Sequence, residues 1–136
     1  MKYNKILEMS FDFANNIIDY SEFLESKRKF VVSNQILKSG TSIGANIREA
    51  QNPYSRADFV HKMIIAMKEA DETEYWLELC QSRSSYGDPS KLLIDIKIIK
   101  QVQCQFCFKE ITDKRKCCFY QNYCQNQSDK RQETGF

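Results

Sequence analysis

Residues 55–82 have the sequence SRADFVHKMIIAMKEADETEYWLELCQS, which holds the most regular apolar spacing of the chain. Apolar side chains recur there at intervals of three, four and seven residues, so they share one face of an α-helix. The members of this face are Phe59, Met63, Ala66, Ala70, Leu77 and Cys80. Ser55 and Asp58 have the spacing of a capping box, which predicts where the helix begins. The sequence therefore predicts an amphipathic helix of about seven turns, ending near residue 82.

Three further amphipathic segments flank this helix. The first covers about residues 4–26, and its predicted buried face is centred on Leu7, Phe11, Ala14 and Ile18, with Ile6 and Ile17 beside it. The second covers about residues 29–51, with an apolar face of Val32, Ile36, Ile43, Ile47 and Ala50. The fourth starts near Ser90 and includes Leu92, Leu93, Ile96, Ile99 and Lys100. Four such helices with short connections can bury their apolar faces only against one another, so we predict an all-α, antiparallel up-down four-helix bundle.

Composition supports a helical domain and excludes several other classes of protein. The 136 residues include only four Gly and two Pro, too few for the turns of a β-sandwich or barrel. No apolar run approaches the roughly 20 residues that span a bilayer, and the N-terminus lacks a signal-peptide core, so we expect a cytoplasmic protein without a membrane partner. Residues 1–102 carry 14 basic and 14 acidic side chains, which does not indicate a strongly basic nucleic-acid binder.

The C-terminal part differs from the rest of the chain in composition. Five of the six cysteines lie between Cys104 and Cys124, and residues 121–133 are rich in Gln and Asn. We predict that residues 1–111 form the bundle and that residues 112–136 are a poorly ordered tail. Cys104 and Cys107 have half of a zinc-ribbon spacing, but the adjacent pair Cys117-Cys118 lacks the second half. We therefore predict neither a metal site nor a cofactor.

The run SIGANIREA at residues 42–50 resembles a motif of a family of small bacterial four-helix-bundle proteins encoded in intervening sequences of 23S ribosomal RNA genes. That family includes the accessory variability determinant of diversity-generating retroelements. The block SRADF at residues 55–59, with the acidic and alanine positions that follow it, is similar to the third helix of the family. The resemblance covers about residues 4–102 and implies no catalytic activity. It implies association of copies, as a pentameric ring in characterised relatives, and for the retroelement branch binding to RNA or DNA and to a reverse transcriptase.

A polar cluster on the second helix has a structural and a functional interpretation. Ser42, Asn46 and Glu49 lie on one side of that helix at spacings of four and three. Neither a histidine nor a cysteine lies nearby to act as base or nucleophile, so we predict no catalytic residues and favour hydrogen bonds that fix the helix register. The single histidine, His61, has no second histidine with which to form a zinc site.

Basic side chains are the candidates for phosphate contacts. Lys38 and Arg48 lie opposite the apolar face of the second helix, so they are expected to be exposed. The candidates on the third helix are Arg56, Lys62 and Lys68, and the predicted turn at residues 25–29 adds Lys27, Arg28 and Lys29. Residues 69–78 hold five acids and no base, which weighs against a basic surface and predicts a solvated acidic face.

The third helix carries apolar side chains outside its predicted core face. Ile65, Tyr75, Trp76 and Leu79 are the main members of this set. A monomeric bundle needs only one apolar face per helix, so a second one predicts contacts with other copies or with a protein partner. The alternative is partial burial of these side chains under the terminal helices.

Overall fold

Four helices make up most of the protein. The computed structural model describes residues 2–110, and side chains within residues 5–106. The helices are α1 (Lys2–Ser26), α2 (Phe30–Glu49), α3 (Arg56–Gln81) and α4 (Ser90–Glu110), with a short 3-10 helix at Ser84–Tyr86. Residues 2–110 contain no strand, which confirms the predicted all-α four-helix bundle. The tail predicted for residues 112–136 lies outside the described residues.

The first two helices pack closely and run in opposite directions. Gly40 of α2 lies against Ile17 of α1, and Gly44, one turn further along α2, lies against Ser10, two turns earlier on α1. A β-carbon at Gly40 would lie 2.8 Å from Cγ2 of Ile17, so glycine allows the two backbones to approach. The Ser33 hydroxyl of α2 donates to the Ser21 carbonyl across the same interface, at 2.9 Å.

Helices α3 and α4 each run in the direction opposite to that of the helix before them. Ser39 and Thr73 form a buried hydrogen bond of 2.9 Å between the middle of α2 and the middle of α3. Glu49, at the end of α2, pairs with Lys62, near the start of α3, so these helices are antiparallel. The α4 helix starts close to where α3 ends and runs back along it, because Lys100 reaches Glu74 at 2.7 Å.

The core confirms the predicted faces of α2, α3 and α4 and corrects that of α1. All six residues predicted for the α3 face are buried, as are the five residues named above for α4, including Lys100. Among residues 5–26 of α1, the buried ones are Ile6, Ser10, Phe13, Ile17, Ser21 and Leu24. The predicted centre was wrong by one position: Phe11 and Ile18 are exposed, while Leu7 and Ala14 are half-buried. Small serines occupy core positions of α1 where it approaches α2, and a pattern of purely apolar residues misses such a face.

The start of α3 is stabilised as the sequence predicts. The Ser55 hydroxyl accepts a hydrogen bond from the Asp58 amide at 3.1 Å. The Asp58 carboxylate in turn accepts from the amide of Tyr54, one residue before the position of a standard capping box. A cap of this kind contributes about 1 kcal/mol to helix stability. None of the helices described within residues 2–110 is long and apolar enough to cross a membrane.

Candidate functional site

The five candidate cations of α2 and α3 do not form one patch on a single copy of the chain. Lys38 and Arg48 are ten residues apart on α2, which separates them by about 15 Å along the helix axis. Arg56, Lys62 and Lys68 follow each other at intervals of six on α3, so each is rotated by about 120° from the last. All five lie on the outer surface of α2 and α3, but they point in different directions.

Lys62 is engaged by the protein itself. Its ammonium group lies 2.6 Å from the Glu49 carboxylate, and this hydrogen bond and charge raise the pKa of Lys62. The pair joins the end of α2 to the first turns of α3, across the connection between them. Glu49, predicted as part of a structural motif, therefore contacts a neighbouring helix. Lys62 stays protonated, but its positive charge is already paired with Glu49.

The other two members of the polar motif bond to their own helix. The Ser42 hydroxyl donates to the Lys38 carbonyl at 2.7 Å, and the Asn46 amide donates to the Ser42 carbonyl at 2.8 Å. These bonds satisfy the two side chains at half-buried positions without reaching another helix. Asn46 and Glu49 therefore use different partners, although the sequence groups them.

The acidic segment of α3 is partly neutralised. Lys100 of α4, only 5% exposed, lies 2.7 Å from both Asp71 and Glu74. Burial and the charge of Glu72 raise the pKa of Glu69, which Lys38 partly offsets. Within the predicted solvated acidic face, Asp71 and Glu74 therefore pair with Lys100, although Asp71 keeps 43% of its side chain exposed. Lys38 lies within the electrostatic reach of Glu69.

Arg48 lies beside a shallow groove between α1 and α2. Its guanidinium carbon is 5.9 Å from the centre of the Phe11 ring, which is the geometry of a cation–π contact. The groove has a volume of about 330 Å³. Its lining residues are Leu7, Ser10, Phe11, Ala14, Thr41, Gly44, Ala45, Arg48 and Glu49. Small side chains on α2 leave this surface open.

The apolar residues predicted for an interface divide into two groups. Tyr75 and Leu79 are 57% and 41% exposed and lie one turn apart on α3. Ile65 is half-buried, and Trp76 is half-buried against the core, with its indole NH directed at Glu72, 3.4 Å away. Two isoleucines of α4, Ile94 and Ile98, are also exposed at the same one-turn spacing, and they are not among the residues predicted for an interface.

One end of the bundle carries three consecutive cations in the turn between α1 and α2. The Lys29 amide donates to the Leu24 carbonyl and the Arg28 amide to the Glu25 carbonyl, both at 2.8 Å, which closes a Schellman motif. Arg28 occupies the left-handed position of that motif, with φ of 62°. Glycine is the usual residue there because it has no β-carbon.

Aromatic rings from α1 and the 3-10 helix support the flanking lysines. The Lys27 ammonium lies 5.9 Å from the centre of the Phe23 ring, and the Lys29 ammonium lies 5.1 Å from that of Tyr86. The Tyr20 hydroxyl donates to the Tyr86 carbonyl at 2.7 Å, which ties α1 to the connection between α3 and α4. We call this surface the basic end: Lys27, Arg28 and Lys29 with Phe23, Phe30 and Tyr86.

Residues with catalytic or metal-binding chemistry do not cluster in the described part of the chain. His61 is exposed on α3. Cys80 is buried beside Tyr20, and burial raises the pKa of both groups, so both are neutral at physiological pH. Within the residues described, no group of three His, Cys, Asp or Glu side chains could hold a metal ion.

Comparisons with known proteins identify relatives of the whole bundle. A family model described as 23S rRNA-intervening sequence protein matches residues 2–105. A crystal structure from Bacteroides thetaiotaomicron, of a protein with unknown function from the S23 ribosomal protein family, is 45% identical in sequence, with a TM-score of 0.72. The similarity covers 79% of this chain and 98% of that chain. No curated protein matches.

Proposed function

Because this chain belongs to the 23S rRNA-intervening sequence protein family, we propose that it is a non-enzymatic cytoplasmic protein that binds nucleic acid through phosphate contacts, as an assembly of identical copies. The observation that carries the proposal is the exposed position of the Arg48 guanidinium. Its guanidinium is exposed, held over Phe11 and in no ion pair within the described residues. A guanidinium fixed in this way can present two N–H donors to one phosphate.

Other cations extend this contact along the outer surface. Lys38, Arg56 and Lys68 are exposed, so each can approach a nucleic-acid backbone. Contacts of this type carry no base specificity and depend strongly on salt. The S23 ribosomal protein family, to which the relative from Bacteroides thetaiotaomicron is assigned, supports RNA as the ligand.

Association of copies would strengthen a surface that is weak on one copy. Tyr75 and Leu79 expose apolar area on α3, and Ile18 does so on α1. Exposed apolar residues at helical spacing are typical of subunit contacts. A ring, as the family resemblance implies, would repeat each cation once per copy and raise the local positive potential. Five copies are the number that this resemblance suggests.

Two measurements test the proposal. A labelled structured RNA is titrated with the protein at low and at moderate salt, and affinity should fall steeply with salt. The double variant Lys38→Ala/Arg48→Ala should weaken binding and flatten the salt dependence, while Lys97→Ala, an exposed lysine of α4, should not. Absence of binding at low salt would remove the nucleic-acid function. Light scattering tests assembly, and a monomer at micromolar concentration would contradict it.

A protein-binding adaptor is the second candidate function. The exposed pair Tyr75 and Leu79, beside Glu72 and Glu78 on the same helix, favours a partner with apolar and basic side chains, such as a retroelement reverse transcriptase. Capture of a purified reverse transcriptase that is lost on Tyr75→Ala/Leu79→Ala would support this function. Capture that survives the double substitution would contradict it.

A further inference from the structure

The three consecutive cations of the basic end begin two residues after Glu25, near the end of α1. Lys27, Arg28 and Lys29 are consecutive, and none of them forms an ion pair within the residues that the structure describes. The first turn of α2, which follows them, contains no acidic side chain. Asp88, in the connection between α3 and α4, accepts hydrogen bonds from the amide and hydroxyl of Ser90, which lower its pKa and keep it charged.

The aromatic rings of this surface are held in place. The Phe23 ring stacks on Tyr20 with centroids 6.1 Å apart, and its edge contacts the backbone at Gly87, where a β-carbon would lie 2.6 Å away. Tyr86 is fixed through its carbonyl by the Tyr20 hydroxyl. The rings of Phe23 and Tyr86 each form a cation–π contact with a lysine ammonium, Lys27 and Lys29 respectively. These contacts restrict the positions of the two cations.

Phe30 adds an exposed aromatic ring that does not pack in the core. It directly follows Lys29, is 54% exposed and is not part of the core. Its exposed face is available for contact with a ligand. A nucleobase is a flat ligand of suitable chemistry, and an adjacent phosphate would meet the lysines.

We infer that the basic end binds single-stranded nucleic acid, with phosphates on Lys27, Arg28 and Lys29 and a base stacked on Phe30. A duplex buries its base faces, so it can use the cations but not the ring. The inference rests on the proposed nucleic-acid function and adds a site on a different surface from Lys38 and Arg48. It also specifies the form of the ligand.

Arg28 occupies a left-handed position where glycine is the usual residue, and this agrees with the proposed role. A β-branched or long side chain at φ of 62° is less stable than glycine, yet the turn keeps a guanidinium there. This position allows a substitution that removes the charge without destabilising the fold. Arg28→Gly removes the charge and improves the backbone geometry, so weaker binding cannot be attributed to a damaged fold.

The first test measures binding of a single-stranded oligoribonucleotide of about 20 nucleotides, and of its duplex, by fluorescence anisotropy over a range of salt. The wild-type protein should prefer the single strand by roughly tenfold. Lys27→Ala/Lys29→Ala should reduce the slope of log affinity against log salt by about 1.4, because each single-strand phosphate contact contributes about 0.7. Lys5→Ala/Lys97→Ala, with the same change in charge, should leave the slope unchanged. Equal slopes for the two double variants would overturn the inference.

The second test isolates stacking and the turn. Phe30→Leu should weaken single-strand binding by roughly tenfold and leave duplex binding unchanged. Its matched control is Tyr54→Leu, which removes an exposed ring from the connection between α2 and α3, away from the basic end. Arg28→Gly should weaken binding in a protein that melts at a higher temperature. Equal losses for Phe30→Leu and Tyr54→Leu, or full affinity in Arg28→Gly, would contradict the site.

The outcomes separate this inference from the proposed function. If neither structured nor single-stranded RNA binds the wild-type protein, the proposed function fails and the inference fails with it. If structured RNA binds through Lys38 and Arg48 while every variant of the basic end binds single strands like wild type, only the inference fails.

Discussion

The side chain of Ile17 fills the space that a β-carbon on Gly40 would occupy. Such a carbon would lie 2.8 and 2.9 Å from two carbons of Ile17, which is itself fully buried. Gly44 differs, because a β-carbon there would meet its nearest atom, the Ser10 carbonyl oxygen, at 3.4 Å. The two glycines of α2 therefore have different roles, although both lie on the surface that faces α1.

We expect Gly40→Ala to destabilise the bundle by about 1–3 kcal/mol, because overpacking a branched core residue exceeds the gain in helix propensity. Gly44→Ala should be neutral or stabilise by up to about 1 kcal/mol, since its contact is near ordinary van der Waals distance. Urea unfolding followed by circular dichroism measures both. A loss of stability in Gly44→Ala equal to that in Gly40→Ala would contradict this assignment. The double variant Ile17→Val/Gly40→Ala should recover part of the lost stability.

The Lys100 cluster predicts an asymmetric response to removing charge. Lys100→Met leaves Glu74, 15% exposed, without its cation, and should cost about 2–3 kcal/mol of unfolding free energy. Glu74→Leu added to Lys100→Met should restore most of that loss, because an apolar pair can replace a buried ion pair. Asp71→Asn should cost less than Glu74→Gln, since Asp71 is 43% exposed. A double-mutant cycle by chemical denaturation gives the coupling, and additive losses would show that Lys100 and Glu74 do not interact.

The α3 helix shows what the sequence could predict. Its six apolar positions and its capping serine follow from local spacing, and the structure buries or uses every one of them. The buried face of α1 was misplaced because Ser10 and Ser21 occupy core positions. Whether serine lies inside depends on how closely α2 approaches, and that distance depends on Gly40, which is 19 residues from Ser21 and 30 from Ser10 in sequence.

The candidate sites depend even more on contacts between distant residues. The sequence identifies Lys27–Lys29 as a basic turn, but not the ring of Tyr86, which comes from the other connection at that end. It also cannot distinguish Lys62 from Arg48, because the carboxylate that engages Lys62 lies on another helix. Residue type gives the available chemistry, whereas the fold determines which groups remain accessible.

Glu69 gives a prediction of pH dependence. Burial and the charge of Glu72 raise the pKa of Glu69 in the folded protein, so folding favours its protonated form. Stability from this group is therefore present below the unfolded pKa and is lost as pH rises through the folded value. Glu69→Gln should raise the stability at neutral pH by less than about 1 kcal/mol, and the gain should vanish in acid. Thermal melts of both proteins between acidic and neutral pH measure the difference, and Glu78→Gln, at an exposed site of the same helix, should show little change. A gain that persists unchanged in acid would contradict the assignment.

Substituting Arg28, a residue of the proposed binding site, by glycine should increase stability. Arg28→Gly places at φ of 62° the residue that this conformation favours, and should stabilise the protein by about 1 kcal/mol, less the greater flexibility of glycine in the unfolded chain. Arg28→Ala removes the same charge but keeps a β-carbon, so it should give no comparable gain. Thermal and urea unfolding of the three proteins measure the effect. If the alanine variant were stabilised as much as the glycine variant, relief of charge repulsion among Lys27, Arg28 and Lys29 would be the cause instead of backbone conformation.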